Sequence, residues 1–221
     1  MACRAVLFDI DGTLVDSNGL HVEAWVEAFA ELGYAIDRAA IAGQIGKGPD
    51  NLVPDLIPDA DPALAKKLGD RHGAIFKRKY LDRVKPFPAA RDLVARVHQA
   101  GKTVVLASSS SKAELDHYVK LMDLDGLVDA STTIDDVKHS KPAPDIFVAG
   151  REKAGSPAEA DVAVIGDSPW DMVPARYCGM RAIGVRSGGF ADDALTAAGA
   201  DAVYDDVAAV LAGFGESLIG R

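Results

Sequence analysis

The chain has 221 residues, of which 48% are hydrophobic, and its formal net charge at neutral pH is −9. This length and this apolar content are typical of a globular protein with a sizeable buried core rather than of a disordered chain. The acidic balance argues against nucleic acid as a partner, because surfaces that bind phosphate backbones are normally basic.

Cysteine usage and hydropathy bear on the cellular location. Cys3 and Cys178 are far apart and have no metal-ligand spacing, so we expect no disulfide framework and a reducing cytoplasm. No apolar run approaches the length that spans a bilayer, and two early aspartates, Asp9 and Asp11, are not typical of a signal peptide. We expect a cytoplasmic protein without a membrane partner, with a monomer as the default.

The first predicted element is a buried strand, residues 4–9, which runs into the motif FDIDGT. Asp11 and Gly12 are ordinary turn chemistry. Asp9, however, lies within the apolar run, and a buried carboxylate needs a compensating partner. The two aspartates therefore predict a site in which another group offsets their charge.

From Asp16 to about Lys85 the sequence shows helical periodicity and no convincing strand. An apolar stripe on one helix ends at Gly33, and another helix starts at Asp61 and Pro62. Roughly seventy residues exceed a normal crossover between strands, so we predict an inserted all-helical domain. The predicted boundaries place residues 1–15 and 85–221 in an α/β core and residues 16–84 in what we call the helical insertion.

Strands and helices alternate in the rest of the chain. Further strands are predicted at 102–108, 127–132, 161–167, 181–185 and 201–204. Helices are predicted from Pro88 to Gly101, after the capping box Ser111 to Glu114, and from Pro142. This alternation predicts an α/β fold with a doubly wound parallel sheet.

Polar residues follow several of these strands, and ligands of open parallel sheets bind beyond the carboxyl ends of the strands. Asp9 and Asp11 end the first strand, Ser108 ends the second and Asp167 ends the fourth, while Lys141 precedes the fourth helix. Three carboxylates, a lysine and a hydroxyl at one edge suit Mg²⁺ together with an anionic oxygen ligand.

The motifs FDIDGT, LASSSS, KPAPD and GDSPWD, in this order, resemble the four motifs of the haloacid dehalogenase-like hydrolase superfamily. The match covers nearly the whole chain, and the helical insertion resembles the cap of that family. The stretch DSNGLHVEAW further resembles the branch of phosphoglycolate phosphatases and β-phosphoglucomutases. The resemblance implies an Mg²⁺-dependent phosphatase acting on a small phosphorylated metabolite, a sugar phosphate or a phosphoglycolate-like acid.

The resemblance also implies the roles of the main residues. Asp9 would be the nucleophile that forms an aspartyl-phosphate and binds Mg²⁺. Asp11 would be the general acid and then the base, with its backbone carbonyl on the metal. Ser108 would hydrogen-bond the phosphoryl oxygens, Lys141 would neutralise their charge, and Asp167 would be an acidic metal ligand. Such charge cancellation is what attack by a carboxylate on a phosphate dianion requires.

Other residues complete the predicted site. Thr13 and Ser109 are expected to contact phosphate, and His21 and Lys47 to contact substrate, Lys47 from an exposed loop at residues 43–51. Asp171 is placed in the second shell of the metal. Its position three residues after Ser168 also fits a helix cap, so capping alone stays open.

Two alternatives to a phosphatase remain at this point. A phosphomutase shares every core residue and stays open. A non-enzymatic signalling receiver also uses an acidic pocket and an aspartyl-phosphate, but it is shorter and has no helical insertion. A true dehalogenase is expected to lack Asp11, which favours phosphoryl transfer.

Overall fold

Short buried runs rich in valine, isoleucine and leucine form the strands of the computed structural model, which describes residues 2–220. The strands are β1 (Ala5–Phe8), β2 (Val15–Asp16), β3 (Lys85–Pro86), β4 (Thr103–Ala107), β5 (Ala130–Thr132), β6 (Val162–Gly166), β7 (Arg181–Val185) and β8 (Ala202–Tyr204). The helices are α1 (Asn18–Glu31), α2 (Arg38–Ala42), α3 (Pro49–Leu56), α4 (Pro62–Lys79), α5 (Ala90–Gln99), α6 (Lys112–Leu121), α7 (Asp145–Lys153), α8 (Pro169–Tyr177), α9 (Asp192–Ala197) and α10 (Val207–Ala212).

Within the described residues, six strands form a sheet in the order β5-β4-β1-β6-β7-β8, and every pair in it is parallel. The predicted doubly wound α/β fold is confirmed. β1 pairs with β4 on one side and β6 on the other, so the strand order reverses at β1. The residues that follow β1 therefore lie at the switch point where such sheets bind ligands.

Side chains of β1 alternate between the two faces of the sheet, as the period of a strand requires. Leu7 packs in a buried cluster with residues of α7 and α8, and Phe8 packs in the opposite cluster with residues of α5, α6 and α10. Both faces are thus covered by helices, which explains why these strands are apolar throughout.

The helical insertion has a hydrophobic cluster of its own, built from α1 to α4. Its buried members are Val22, Trp25, Phe29, Ile41, Ile45, Leu52, Val53, Ala65 and Leu68. At its two ends, β2 and β3 pair antiparallel, so the expectation of no strand from Asp16 to Lys85 is wrong at both ends. The division into core and insertion at these residues stays a prediction.

Three predicted boundaries differ from the structure. α5 begins at Ala90 rather than Pro88, because Ala89 adopts a left-handed conformation with φ of 63°. α7 begins at Asp145 rather than Pro142. A second proline at 144 disfavours helical geometry in the residue before it. The predicted loop at 43–51 ends early, because Pro49 starts α3.

Two expectations about the whole chain can be compared with the structure. Cys3 and Cys178 are both free cysteines. In the part of the chain that the structure describes, no helix combines the length and the apolar character needed to cross a membrane.

The central position of β1 predicts the cost of a cavity there. Phe8→Ala should lower the free energy of unfolding by about 3–5 kcal/mol, because the ring is fully buried. Tyr177→Ala is the control, since Tyr177 is 81% exposed, and we expect a change within about 0.5 kcal/mol. Urea unfolding measures both, and equal effects of the two substitutions would contradict the placement of β1.

Candidate active site

The turn after β1 brings two aspartates to the edge of the sheet. The backbone N–H of Asp9 donates to the carbonyl of Ile165 at 2.9 Å, which extends the ladder between β1 and β6 by one residue. Gly12 has φ of +80°, and a Cβ at this position would lie 2.3 Å from an oxygen of Asp167. A glycine therefore suits both the left-handed conformation and the close approach to Asp167.

Lys141 lies at the centre of a buried ionic cluster. Its Nζ is 2.6 Å from Oδ1 of Asp9 and 2.6 Å from Oδ1 of Asp171, and it lies 3.4 Å from the carbonyl of Ala107. Burial acts against the charged lysine, but the two carboxylates raise its pKa above the ordinary value. Lys141, only 1% exposed, is therefore an ammonium group that bridges two aspartates.

Asp167 completes the group of acids. Thr13 Oγ1 donates to Oδ2 of Asp9 at 2.9 Å and also lies 3.4 Å from Oδ1 of Asp167. The side-chain amide of Asn18 donates to Oδ2 of Asp167 at 2.8 Å. Thr13, predicted to contact phosphate, thus lies between two carboxylates, and Asn18 is a contact that the sequence did not indicate.

The acid cluster fits a divalent cation. Oxygens of Asp9, Asp167 and Asp171 lie within 4.8 Å of one another, and Lys141 offsets only one of the three charges. Burial, with the charges of Asp171 and Asp11, raises the pKa of Asp9 to about 7 although Lys141 acts in the opposite direction. Burial and its acidic neighbours also raise the pKa of Asp167 well above its usual range. A bound cation would supply the missing positive charge.

Asp171 has two partners within the fold. Its Oδ2 accepts hydrogen bonds from the hydroxyl and backbone N–H of Ser168 at 2.6 and 3.2 Å, which is the predicted helix cap. Its Oδ1 faces Lys141. Capping is therefore only part of what Asp171 does, because the same carboxylate also neutralises the buried lysine.

Asp11 is held apart from this cluster by three donors. Its Oδ1 accepts from Ser17 Oγ at 2.6 Å and lies 3.2 Å from His21 Nε2, while Oδ2 accepts from Ser110 Oγ at 2.6 Å. Burial disfavours the carboxylate, but His21 and the two hydroxyls hold the pKa of Asp11 below its usual range. Asp11 is therefore a carboxylate at neutral pH.

The four serines that follow β4 have different contacts. Ser108 is fully buried, and its Oγ accepts the backbone N–H of Ser110 at 3.0 Å. Ser109 lines the cavity above the site and donates to the carbonyl of Gly46 in the helical insertion at 3.1 Å. Ser111 caps α6 as predicted. The contact of Ser110 with Asp11 was missed, since four identical residues give no signal of which one faces the site.

A cavity of about 590 Å³ opens above Asp9 and Asp11, between the sheet edge and the helical insertion. His21 on α1 and His72 on α4 line it, with His21 Nδ1 3.2 Å from His72 Nε2. His72 stacks on Trp25 with ring centroids 4.3 Å apart. Sequence reasoning did not identify His72, because a single histidine on a helix carries no local signal.

Lys47 does not occupy the exposed position that was predicted. Its side chain is 6% exposed, its Nζ contacts Gln44 Oε1 at 2.7 Å and Asp55, and it lies 3.7 Å above the ring of Trp170. The ring and the two polar partners draw this lysine into the contact between the helical insertion and α8. It lines the cavity, but its charge is already compensated.

The start of α3 is hydrogen-bonded to the loop that carries Lys141. The side-chain amide of Asn51 donates to the carbonyls of Ser140 and Lys141 at 3.2 and 3.3 Å and to Ser140 Oγ at 3.0 Å. Asp50 accepts from the N–H and the hydroxyl of Ser140, and Gly48 N–H donates to Ser140 Oγ at 3.1 Å. The helical insertion therefore supports the position of the buried lysine.

The chain is similar to several known proteins. The family model of the haloacid dehalogenase-like hydrolases matches residues 3–179. Fructose-1-phosphate phosphatase YqaB of Escherichia coli is 30% identical over 82% of this chain and 95% of its own. The plasmid phosphoglycolate phosphatase of Cupriavidus necator is 30% identical over 95% of this chain and 92% of its own. A crystal structure of a hydrolase from Pseudomonas syringae matches with a TM-score of 0.90 and 30% identity, covering 96% of this chain and 98% of the other.

The chain belongs to the haloacid dehalogenase-like hydrolase family. This confirms the family and the enzyme class that the four motifs predicted, and it removes the non-enzymatic signalling module as an alternative.

Because the pKa values of Asp9 and Asp167 are raised, we expect Mg²⁺ to change the thermal stability of the protein in a way that depends on pH. The folded state holds Asp9 protonated up to a pKa of about 7, against 3.8 ordinarily, so the stability of metal-free protein should fall as pH rises from about 4 to 8. Mg²⁺ at about a hundred times its Kd should raise Tm by roughly 5–10 °C at pH 8 and by less at pH 5. Thermal unfolding with and without Mg²⁺ measures this.

Substitutions separate this effect from general ion binding. Asp167→Asn should raise the Tm of metal-free protein at pH 8, because it removes a buried like charge, and it should also reduce the Mg²⁺ effect. Asp125→Asn changes an exposed residue of the α/β part of the chain, and this variant should behave like the wild type. An equal Mg²⁺ effect at both pH values would rule out the acid cluster as its origin.

The contacts of α3 predict a local effect on the Lys141 loop. Asn51→Ala removes three hydrogen bonds to this loop and should speed amide exchange of residues 138–141 and 143 by about tenfold or more. Hydrogen exchange measured by mass spectrometry tests this, with Asp59→Ala at an exposed site of the helical insertion as the control. Unchanged exchange in the Asn51 variant would show that α3 does not support the loop.

Proposed function

We propose that the protein is an Mg²⁺-dependent phosphatase that hydrolyses small phosphate monoesters through an aspartyl-phosphate on Asp9. The observation that carries the proposal is the buried cluster in which Lys141 contacts Asp9 and Asp171 beside Asp167, at the floor of a cavity large enough for a metabolite. Relatives whose names give phosphatase activity on fructose 1-phosphate and on phosphoglycolate support it.

The first half-reaction is nucleophilic. A carboxylate oxygen of Asp9 attacks phosphorus, a P–O bond to Asp9 forms, and the P–O bond to the alcohol breaks. Lys141 offsets the charge of the phosphoryl group as the two anions approach, and Ser108 and Ser109 are proposed to hydrogen-bond its oxygens. Asp9, Asp167 and the backbone carbonyl of Asp11 would hold Mg²⁺, which supplies charge neutralisation at the phosphoryl oxygens.

The second half-reaction needs a base. Asp11 accepts a proton from water, the water oxygen attacks phosphorus, and inorganic phosphate leaves as Asp9 is regenerated. The hydrogen bonds from Ser17, His21 and Ser110 favour the carboxylate form of Asp11, which is the form that this step uses. In the first half-reaction the leaving alkoxide takes its proton from Asp11, which must therefore be protonated when the substrate binds. This requires that at least one of these donors no longer hydrogen-bond the Asp11 carboxyl group.

Two substitutions separate the roles of the aspartates. Asp9→Asn should lower turnover of 4-nitrophenyl phosphate by about a thousandfold or more and give no phospho-enzyme. Asp11→Asn should keep the first step for this good leaving group and stall at the second. Rapid mixing should then show a burst of nitrophenolate close to one equivalent of enzyme, followed by slow turnover.

The controls for this experiment are chemical and structural. Alkyl phosphates should give no burst with Asp11→Asn, because an alkoxide leaves poorly without an acid. Asp59→Asn should keep the wild-type rate, since Asp59 is exposed and does not line the cavity. Wild-type turnover by Asp11→Asn would contradict its role, a burst with Asp9→Asn alone would reverse the two roles, and isomerised product without free phosphate would contradict hydrolysis.

A further inference from the structure

The two sides of the cavity differ in chemistry. The sheet side carries the carboxylates Asp9 and Asp11 and is where the phosphate would bind. The opposite side includes the face of α4 at Gly69 and Gly73, where a Cβ at Gly73 would meet no atom within 4 Å. At Gly69, in contrast, a Cβ would lie 2.5 Å from Pro49, so this side is open at Gly73, which would face the alcohol part of a substrate.

Aromatic rings form another part of that opposite side. His21 stacks on Phe76 with centroids 3.8 Å apart, and His72 lies between Trp25 and His21. Burial and the neighbouring His21 lower the pKa of His72 well below its usual range. The group that faces the alcohol is thus a neutral imidazole, which can exchange hydrogen bonds but offers no positive charge.

Two lysines line the cavity, of which one is already paired and the other is exposed to solvent. Lys47 is buried against Asp55, Gln44 and Trp170. Lys77 also lines the cavity, but it is exposed, so water and salt screen its charge.

The acids that line the cavity offer a second anion on the substrate no favourable partner. Asp70 pairs with Lys66 at 2.6 Å on the exposed surface of α4. Glu114 accepts from Ser111 in the cap of α6. A carboxylate or second phosphate on the substrate would therefore enter a pocket with Asp11 and Glu114 nearby and no buried ammonium available to it.

The energetic consequence depends on the charge of the leaving group. An anion that leaves water without a paired cation loses its hydration with no compensation. A neutral polyol loses much less and can regain hydrogen bonds from imidazole and backbone groups. The pocket should therefore discriminate by charge more strongly than by size.

We propose that the pocket selects phosphate esters of neutral alcohols, such as sugar and polyol monophosphates, over esters that carry a second anion, and that His72 sets this preference. The proposal rests on the phosphatase activity proposed above. It distinguishes between the two substrate classes that the sequence left open, and it makes His72 a specificity-determining residue.

The test is a comparison of kcat/KM with Mg²⁺ for 4-nitrophenyl phosphate, D-fructose 1-phosphate, glycerol 3-phosphate and 2-phosphoglycolate. In the wild type, the better neutral metabolite should exceed 2-phosphoglycolate by about tenfold or more. His72→Lys places an ammonium on the wall and should raise the ratio of 2-phosphoglycolate to the neutral esters by about tenfold. His72→Gln, which stays neutral, should keep the wild-type ranking.

A second variant keeps the proposal testable if His72→Lys does not fold. Gly73→Lys introduces an ammonium on the same side at a position with open space, and it should shift the ratio in the same direction. Because each variant is judged by a ratio of substrates, a general loss of activity does not imitate the effect. Unchanged ratios in both folded lysine variants would overturn the assignment to His72 and its wall.

The outcomes also separate this inference from the proposed function. No hydrolysis of 4-nitrophenyl phosphate by the wild type, or equal hydrolysis by Asp9→Asn, would mean that both proposals are wrong. Hydrolysis that depends on Asp9, with 2-phosphoglycolate equal to or better than the neutral esters, would overturn charge selection and leave the phosphatase intact.

Discussion

The structure depends on the burial of three carboxylates around one lysine. Asp9, Asp167 and Asp171 are each nearly inaccessible to water, and Lys141 contacts two of them directly. Removing charges from water is unfavourable unless each is paired and hydrogen-bonded. Thr13, Asn18 and Ser168 supply hydrogen bonds, and a divalent cation would supply the remaining charge.

The helical insertion takes part in this electrostatic arrangement as well as covering it. At its first end, Ser17 and His21 hold Asp11 as a carboxylate, away from the Lys141 cluster. At α3, Asp50 and Asn51 hydrogen-bond the loop that carries Lys141. The two parts of the chain therefore share one site, so a movement of the insertion would act on both the lysine and the second aspartate.

One side of the cavity carries ionic groups, and the other carries mostly neutral ones. The sheet edge concentrates ionic groups where a phosphoryl group would react: Asp9 and Asp167 follow β1 and β6, Lys141 lies in the loop before α7, and Asp171 lies in the first turn of α8. The insertion presents imidazoles, an indole and glycines to the cavity, and its His21 also contacts the reacting carboxylate of Asp11.

The sequence by itself determined the six strands of the parallel sheet, the fold class and the residues Asp9, Ser108 and Asp167 at strand ends, because strand periodicity and turn chemistry are local properties of the chain. It did not indicate the short pair β2 and β3. The roles assigned to these residues stay proposals. Only the tertiary structure decided that Ser110 and His72 reach the site, that Lys47 is buried against α8, and that α3 supports the Lys141 loop. These contacts join segments remote in sequence, so no local pattern encodes them, and they follow only from how the loops and helices pack together in the folded chain.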